Sequence, residues 1–172
     1  MVVACRPPLF IFSVMTKISN EFIESLVAVA LGQVGKREVG HNGGAAVRAY
    51  QSATSLDPGD WPWCAAFVCW CFLTASVRHP LGRVLPVSAR AFDFEGWGRR
   101  NATLYHAPES IRKGDVVIYE FSHIGIASCD SVGGWVDVVE GNTNPAGSRE
   151  GDGVYHRTRP LHLVRSVVHL GS

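Results

Sequence analysis

A proline, a cysteine and a long uncharged run stand together near the middle of the chain, in the segment WPWCAAFVCWCFL at positions 61–73. No charged residue occurs between Trp61 and Ser76. Proline is favoured in the first turn of an α-helix, where its missing N–H would be unsatisfied anyway. Since the residues after Pro62 are apolar on every side, the segment predicts a helix buried in the middle of a domain.

Cys64 would lie at the start of that helix. The unpaired N–H groups and the helix dipole at such an end favour a negative charge. A thiolate carries such a charge, so a cysteine at this position becomes reactive. The segment therefore predicts a reactive thiol, provided that the rest of the chain supplies a base.

Length and charge bound the possible functions. The chain has 172 residues, which suits one domain with a sizeable core. It carries 16 Lys and Arg against 15 Asp and Glu, for a formal net charge of +1. This balance gives no electrostatic reason for binding nucleic acid or an anionic membrane, so we expect neither as a partner.

The cysteines do not form the pattern of a disulfide framework or a zinc site. Their number is odd, and three of them fall in the predicted helix. The short C-x2-C knuckle of zinc sites is absent. Cys69 and Cys71 are therefore predicted to be small apolar core residues. The five cysteines are Cys5, Cys64, Cys69, Cys71 and Cys129.

Residues 1–17 are interpreted as a leader outside the fold. The apolar run Leu9–Val14 is too short to span a bilayer, and no small-x-small cleavage site follows it. Met15 resembles an ordinary cytosolic start of translation. We expect the leader to be disordered or loosely docked, and residues 18–172 to form a single catalytic domain.

The first half of the chain has helical periodicity. Ser19 or Asn20 can cap a helix whose apolar residues recur at three- and four-residue spacing. A second helix is predicted from Ala45 to Ser52, and His79-Pro80 closes the helical half. A short helix is expected near Ser88 to Gly96, followed by loop as far as Glu109.

After position 113 the periodicity changes to that of strands. The segments are short, rich in β-branched residues and separated by turns, and Gly133-Gly134 is a predicted hairpin connection. Helices followed by an antiparallel sheet indicate an α+β fold. The predicted strands are Val116–Tyr119, His123–Ala127, Trp135–Glu140, Val154–Arg157 and Leu163–Val168.

One of the seven histidines is placed to act as a base. His123 begins a strand directly after the turn Glu120–Ser122, where a side chain can project from the end of a sheet. A cysteine on a helix and a histidine on a strand form the arrangement used in nucleophilic acyl transfer. Glu140 ends the next predicted strand and Asn142 follows it, and either could orient the imidazole. On residue types alone, a structural histidine and a core cysteine remain the alternative.

Three motifs occur in the order that they have in the CHAP amidase/peptidase family, which they resemble. They are PWCAAFV at 62–68, GDVV at 114–117 leading to SHIGI at 122–126, and VVEGNT at 138–143. The resemblance extends from Ile18 to Val168. It implies a papain-like, NlpC-type fold with the nucleophile at the start of the central helix. The nucleophile then falls on Cys64, the general base on His123, and the orienting residues on Glu140 and Asn142.

The resemblance implies hydrolysis of an amide bond in peptidoglycan by either an N-acetylmuramoyl-L-alanine amidase or a peptide endopeptidase. The GNTN and GDGVY stretches resemble phage and prophage enzymes, and a phage lysis enzyme or an antibacterial effector with an immunity protein would both fit. The protein is expected to be a monomer that is made in the cytoplasm and acts on the cell wall. The alternatives are a papain-like protease or transferase acting on proteins, and a non-catalytic wall-binding module.

Aromatic and acidic residues close to Cys64 are candidates for contacts with substrate and for metal ligands. Trp61 and Trp63 are candidate substrate contacts, with a role in the core as the alternative for each. Asp57 and Asp60 flank a turn, but the alternating carboxylates of a calcium loop are absent. We therefore expect neither a metal nor a cofactor.

Overall fold

A computed structural model describes residues 18–106 and 108–171. Within these ranges the chain forms four α-helices and a six-stranded antiparallel sheet, which confirms the predicted α+β class. The predicted leader at residues 1–17 lies outside the described residues. The helices are α1 (Asn20–Leu31), α2 (Ala45–Gln51), α3 (Cys64–Arg78) and α4 (Asp93–Asn101). The strands are β1 (Thr103–His106), β2 (Val116–Tyr119), β3 (His123–Ala127), β4 (Trp135–Thr143), β5 (Gly153–Pro160) and β6 (Val164–His169).

Helix α3 is the centre of the core. It contacts α1 and α2 as well as strands β3 and β4, and most of its residues are buried. Cys69 and Cys71 are both buried, as predicted. The helix begins at Cys64, as predicted, with Trp63 as its N-cap. Pro62 therefore precedes the cap, whereas the sequence predicts it in the first turn. None of the helices in the described ranges is long and apolar enough to cross a bilayer.

Helix α1 packs on α3 and begins where the sequence predicts. The Ser19 side chain accepts a hydrogen bond from the Phe22 N–H at 3.2 Å, which confirms Ser19 as the N-cap. The Phe22 and Phe72 rings lie 5.7 Å apart between the two helices. Helix α2 ends at Gln51, one residue before the predicted end.

The region before the sheet differs from the prediction. The short helix expected near Ser88 to Gly96 is α4, which begins only at Asp93. The Ser88 hydroxyl donates to Asp93 Oδ2 at 2.6 Å and accepts from the Arg90 N–H at 3.1 Å, so a turn precedes the helix. Strand β1 replaces part of the expected loop. It is an edge strand that is mostly exposed, which explains why no apolar alternation marked it.

The sheet has the strand order β1-β6-β2-β3-β4-β5, with antiparallel pairing between all neighbours. Gly133 and Gly134, with φ angles of 59° and 84°, form a turn between Val132 and Trp135 at the end of the connection from β3 to β4, which confirms the predicted turn. Positive φ at both central residues is the requirement of a type I′ hairpin turn. Valines and isoleucines of the inner face of the sheet pack against the helices, and a second apolar cluster covers the opposite face.

Strand β4 contains a bulge near its end. Glu140 pairs with Tyr155 and Thr143 with Gly153, so β4 has one extra residue in this interval. Asn142 lies in the bulge with a φ of 57°. A Cβ atom at Gly141 would lie 2.7 Å from the Phe67 Cβ and 2.8 Å from the Trp63 ring. Only glycine therefore permits β4 to lie this close to the start of α3.

Candidate active site

The described part of the chain brings Cys64 and His123 together at the junction of α3 and the sheet. A tight turn joins β2 to β3, in which the Ser122 N–H donates to the Tyr119 carbonyl at 3.1 Å. Ser122 has a φ of 60°, which is uncommon for a residue other than glycine. This turn makes His123 the first residue of β3, as predicted. Because α3 packs against β3, Cys64 lies near enough to the His123 side chain to raise the pKa of the imidazole.

The two ring nitrogens of His123 have different surroundings. Nε2 lies 3.1 Å from Oε2 of Glu140, and both side chains are fully buried. Nδ1 is buried and makes no hydrogen bond within the described ranges, so it is the nitrogen available to the thiol. Burial alone lowers the pKa of His123, but the interactions with Cys64 and Glu140 outweigh burial and raise this pKa to about 9. The ring is therefore held as an imidazolium at neutral pH.

Glu140 is kept ionised by an arginine of β5. Arg159 Nε donates to Oε1 at 2.8 Å and Nη2 donates to Oε2 at 2.6 Å, which is a bidentate pair. Burial raises the pKa of Glu140, but the hydrogen bonds from Arg159 and His123 dominate and bring this pKa to about 2. The imidazolium thus lies against a permanent negative charge.

Aromatic rings fix the plane of the imidazole. The Tyr119 and Phe121 rings stack at 5.1 Å, and the Phe121 ring lies 5.9 Å from the His123 ring at an angle of 16°. The Arg159 guanidinium lies 5.4 Å above the Tyr119 ring. Burial and the nearby Glu140 raise the pKa of Tyr119 well above its usual value, so its phenol stays neutral. The ring stack and the carboxylate together restrict rotation of His123.

Asn142 does not join this group. It lines a separate cavity of about 320 Å³ together with Glu38 and Asp152. Its Nδ2 is buried and has no hydrogen-bond partner in the described part of the chain. Of the two orienting residues left open by the sequence, Glu140 is the one that contacts the His123 ring.

The two tryptophans have different environments. Trp61 lines a groove of about 500 Å³ that also contains Cys64, so its predicted contact with substrate stays a prediction. Trp63 is 0% exposed, and its Nε1 donates to Glu38 Oε2 at 3.0 Å. The prediction that Trp63 contacts substrate is not supported, because the side chain has no exposed surface.

The acidic residues that precede the cysteine do not form a group of ligands. Asp60 Oδ1 pairs with His41 Nδ1 at 2.5 Å on the surface. Within residues 18–106 and 108–171, no three His, Cys, Asp or Glu side chains cluster in a way that could hold a metal ion. The expectation of a metal-free site remains a prediction.

Sequence reasoning missed Arg159 and Tyr119, which complete the surroundings of His123. Arg159 of β5 lies opposite Val136, which is four residues before Glu140 in β4. The Arg159 side chain therefore reaches a carboxylate that is not its neighbour in the strand pairing. The sequence held no local signal for Arg159, because its neighbours in β5 are Arg157, Thr158 and Pro160 and it is therefore one of two arginines in a polar stretch.

The site predicts how stability depends on pH. The raised pKa of His123 contributes stability that is complete below about pH 6.5 and is lost as pH rises through about 9. The lowered pKa of Glu140 contributes stability that is present above about pH 4.5 and is lost as pH falls through about 2. We expect these groups to stabilise the fold most between about pH 4.5 and 6.5. Urea unfolding at pH 5.5, 7.5 and 9.5 measures the alkaline decline.

The matched control for this decline is His123→Gln, which keeps a polar side chain but does not titrate. The variant should lose most of the alkaline decline that the wild type shows between pH 6.5 and 9. An equal decline in both proteins would assign it to other groups.

The geometry amounts to a thiol at the start of a buried helix, an imidazolium beside it and an ionised carboxylate that orients the ring. Comparison of the sequence with known protein families and with curated proteins finds no match.

Proposed function

We propose that the protein is a cysteine hydrolase that cleaves an amide bond in peptidoglycan. The observation that carries the proposal is the buried His123 between Cys64 and an ionised Glu140. A structural histidine would be satisfied by its partners, whereas Nδ1 of His123 lacks a hydrogen bond within the described residues and the Cys64 thiol lies near the ring. Pairs of this kind activate the nucleophile in covalent catalysis.

The first half of the proposed reaction forms an acyl-enzyme. The Cys64 thiolate attacks the carbonyl carbon of the amide, and the oxygen becomes negatively charged. Among the residues that the structure describes, no side chain caps α3, so the Cys64 N–H at the helix start is available to this oxyanion. The His123 imidazolium donates its proton to the nitrogen as the C–N bond breaks, and the amine leaves.

The second half releases the acyl group. Neutral His123 takes a proton from a water molecule, which attacks the thioester carbon. The C–S bond breaks, and the carboxylic acid product and the thiolate are formed while His123 is again an imidazolium. Glu140 remains ionised throughout and holds Nε2, so Nδ1 stays directed toward the reacting atoms.

The choice of peptidoglycan as substrate rests on the resemblance to the CHAP family. Its three motifs supply the residues of the site, which are Cys64 in PWCAAFV, His123 in SHIGI and Glu140 in VVEGNT. A papain-like arrangement, in which a cysteine at the start of the central helix faces a histidine on the sheet, is compatible with the observed α+β architecture. We propose that the protein acts on the wall as a phage lysis enzyme or an antibacterial effector.

Digestion of purified peptidoglycan followed by mass spectrometry of the soluble products tests this function. We expect muropeptides whose masses show addition of water across one amide bond. Products with free lactyl groups would identify an amidase, and new amino termini within the stem peptide would identify an endopeptidase. Intact sacculi combined with cleavage of a denatured protein substrate would contradict the proposal in favour of a protein-directed protease.

We expect full hydrolytic activity after dialysis against EDTA. The charges around the thiol are already balanced by His123, Glu140 and Arg159, so the proposed steps need no cation. The rate of turbidity loss of purified walls, measured with and without EDTA, checks this. A complete loss of activity that calcium restores would contradict it.

A further inference from the structure

The groove beside Cys64 combines an apolar lining with two arginines. Leu56 and Phe92 line it and are 51% and 39% exposed. Arg90 and Arg149 line the same groove of about 500 Å³. A concave, mostly apolar site with a few charged groups is the usual form of a ligand site. The two cations indicate which charge the ligand carries.

The loop that carries Arg149 is fastened to β5. Arg157 Nη1 donates to the Asn144 carbonyl at 3.0 Å, and Arg159 Nη1 donates to the Gly147 carbonyl at 3.1 Å. Arg149 itself pairs with Glu150 at 3.7 Å in an exposed contact of little energetic value. Arg149 is therefore positioned by its loop while its charge remains available to a ligand.

The segment that carries Arg90 is fastened to α3. The Arg90 N–H donates to the Ser88 hydroxyl at 3.1 Å, and the Ser88 carbonyl accepts from the Cys69 thiol at 3.4 Å. Among the described residues, no ion pair engages the Arg90 side chain. Asp93 is the one carboxylate among the described residues that line the groove, so the formal charge of this lining is positive.

We propose that Arg90 and Arg149 bind a free carboxylate of the substrate close to the amide that Cys64 attacks. The substrate class is then an acidic peptide, with its carboxylate on the arginines and its apolar part against Leu56 and Phe92. Guanidinium groups suit this ligand because they form charge-assisted, bidentate hydrogen bonds with carboxylates. The inference rests on the proposed function for the identity of the peptide, but the anion site beside the thiol is testable without it.

Alkylation of Cys64 by iodoacetate and by iodoacetamide tests the anion site directly. The two reagents differ in charge, so the ratio of their rates reports the electrostatic attraction of an anion to the groove. We expect this ratio to fall about threefold or more in both Arg90→Gln and Arg149→Gln, and to be unchanged in Arg78→Gln, which removes an exposed arginine at the end of α3. His123 also attracts the anion, but it is common to all these proteins. An unchanged ratio in both groove variants would overturn the inference without bearing on peptidoglycan hydrolysis.

A pair of muropeptides that carry D-glutamate or D-isoglutamine tests the substrate class. The two differ only in whether one carboxyl group is free or amidated. We expect the wild type to cleave the free acid with a kcat/KM about tenfold higher, and the two groove variants to lose this preference. Equal cleavage of both by the wild type would overturn the inference alone. If the wild type cleaves neither, the proposed function fails as well.

Discussion

Exchange of Cys64 for alanine is expected to reduce hydrolysis of purified peptidoglycan at least about a thousandfold, because the proposed acyl-enzyme forms on this thiol. The fold should persist, since the substitution removes a single sulfur atom from a residue that borders the groove. Turbidity loss and release of muropeptides measure the activity, and the far-UV circular dichroism spectrum measures the helix and strand content. We expect the first two to disappear and the spectrum to stay unchanged.

Cys129→Ala is the matched control for this variant. Cys129 is an exposed free thiol that lies outside the groove. Its loss should leave hydrolysis at the wild-type level. Undiminished hydrolysis by Cys64→Ala, with Cys129→Ala equally active, would end the cysteine mechanism.

Exchange of Arg159 for methionine is expected to destabilise the fold by about 3–5 kcal/mol, the usual cost when one partner of a buried ion pair is removed. Glu140 is 0% exposed and would lose its bidentate partner while it still faces His123. Without the guanidinium, the pKa of Glu140 rises, so the carboxylate protonates at a higher pH. Urea unfolding measures the stability, and the acid limb of the pH–activity profile should move to higher pH.

The double variant Arg159→Met/Glu140→Gln distinguishes an uncompensated charge from a general packing defect. If the buried carboxylate causes the loss, its removal should restore part of the stability that Arg159→Met loses. Arg159→Lys should fall between wild type and Arg159→Met, because an ammonium keeps the charge without the bidentate geometry. Strictly additive losses in the double variant would contradict the charge explanation.

The sequence predicted the elements that carry the site because each has a strong local signal. The uncharged segment after Pro62 specified α3, and β-branched runs between turns specified β2 and β3. Strand β1 and the start of α4 were missed or misplaced. Because β1 is an exposed edge strand, its residues do not alternate between apolar and polar. The start of α4 is shifted to Asp93 by a turn in which Ser88 donates a hydrogen bond to Asp93, and hydrophobic periodicity gives no sign of such a side-chain contact.

The residues of the candidate site could be predicted where a local sequence pattern marked them, and not elsewhere. Cys64, His123 and Glu140 were placed by a helix start, a turn and a strand end. Alternation along a strand puts residues 140 and 142 on one face, but the bulge between Glu140 and Thr143 breaks that relation and directs Asn142 into another cavity. The role of Arg159 could not be predicted, because it contacts Glu140, a residue four positions from its partner in the strand pairing. No local sequence pattern indicates a contact of this kind.

The close approach at Gly141 has a consequence for how the protein responds to heat. The strand that carries Glu140 packs so closely on the helix that carries Cys64 that only the hydrogen atom of a glycine fits between them. A Cβ atom at Gly141 would lie 2.7 Å from Phe67. The distance between thiol and carboxylate is thus set by the packed interior and not by the surrounding loops. A partly loosened molecule cannot keep this spacing, so thermal inactivation should coincide with loss of near-ultraviolet circular dichroism and should precede any loss of helix content.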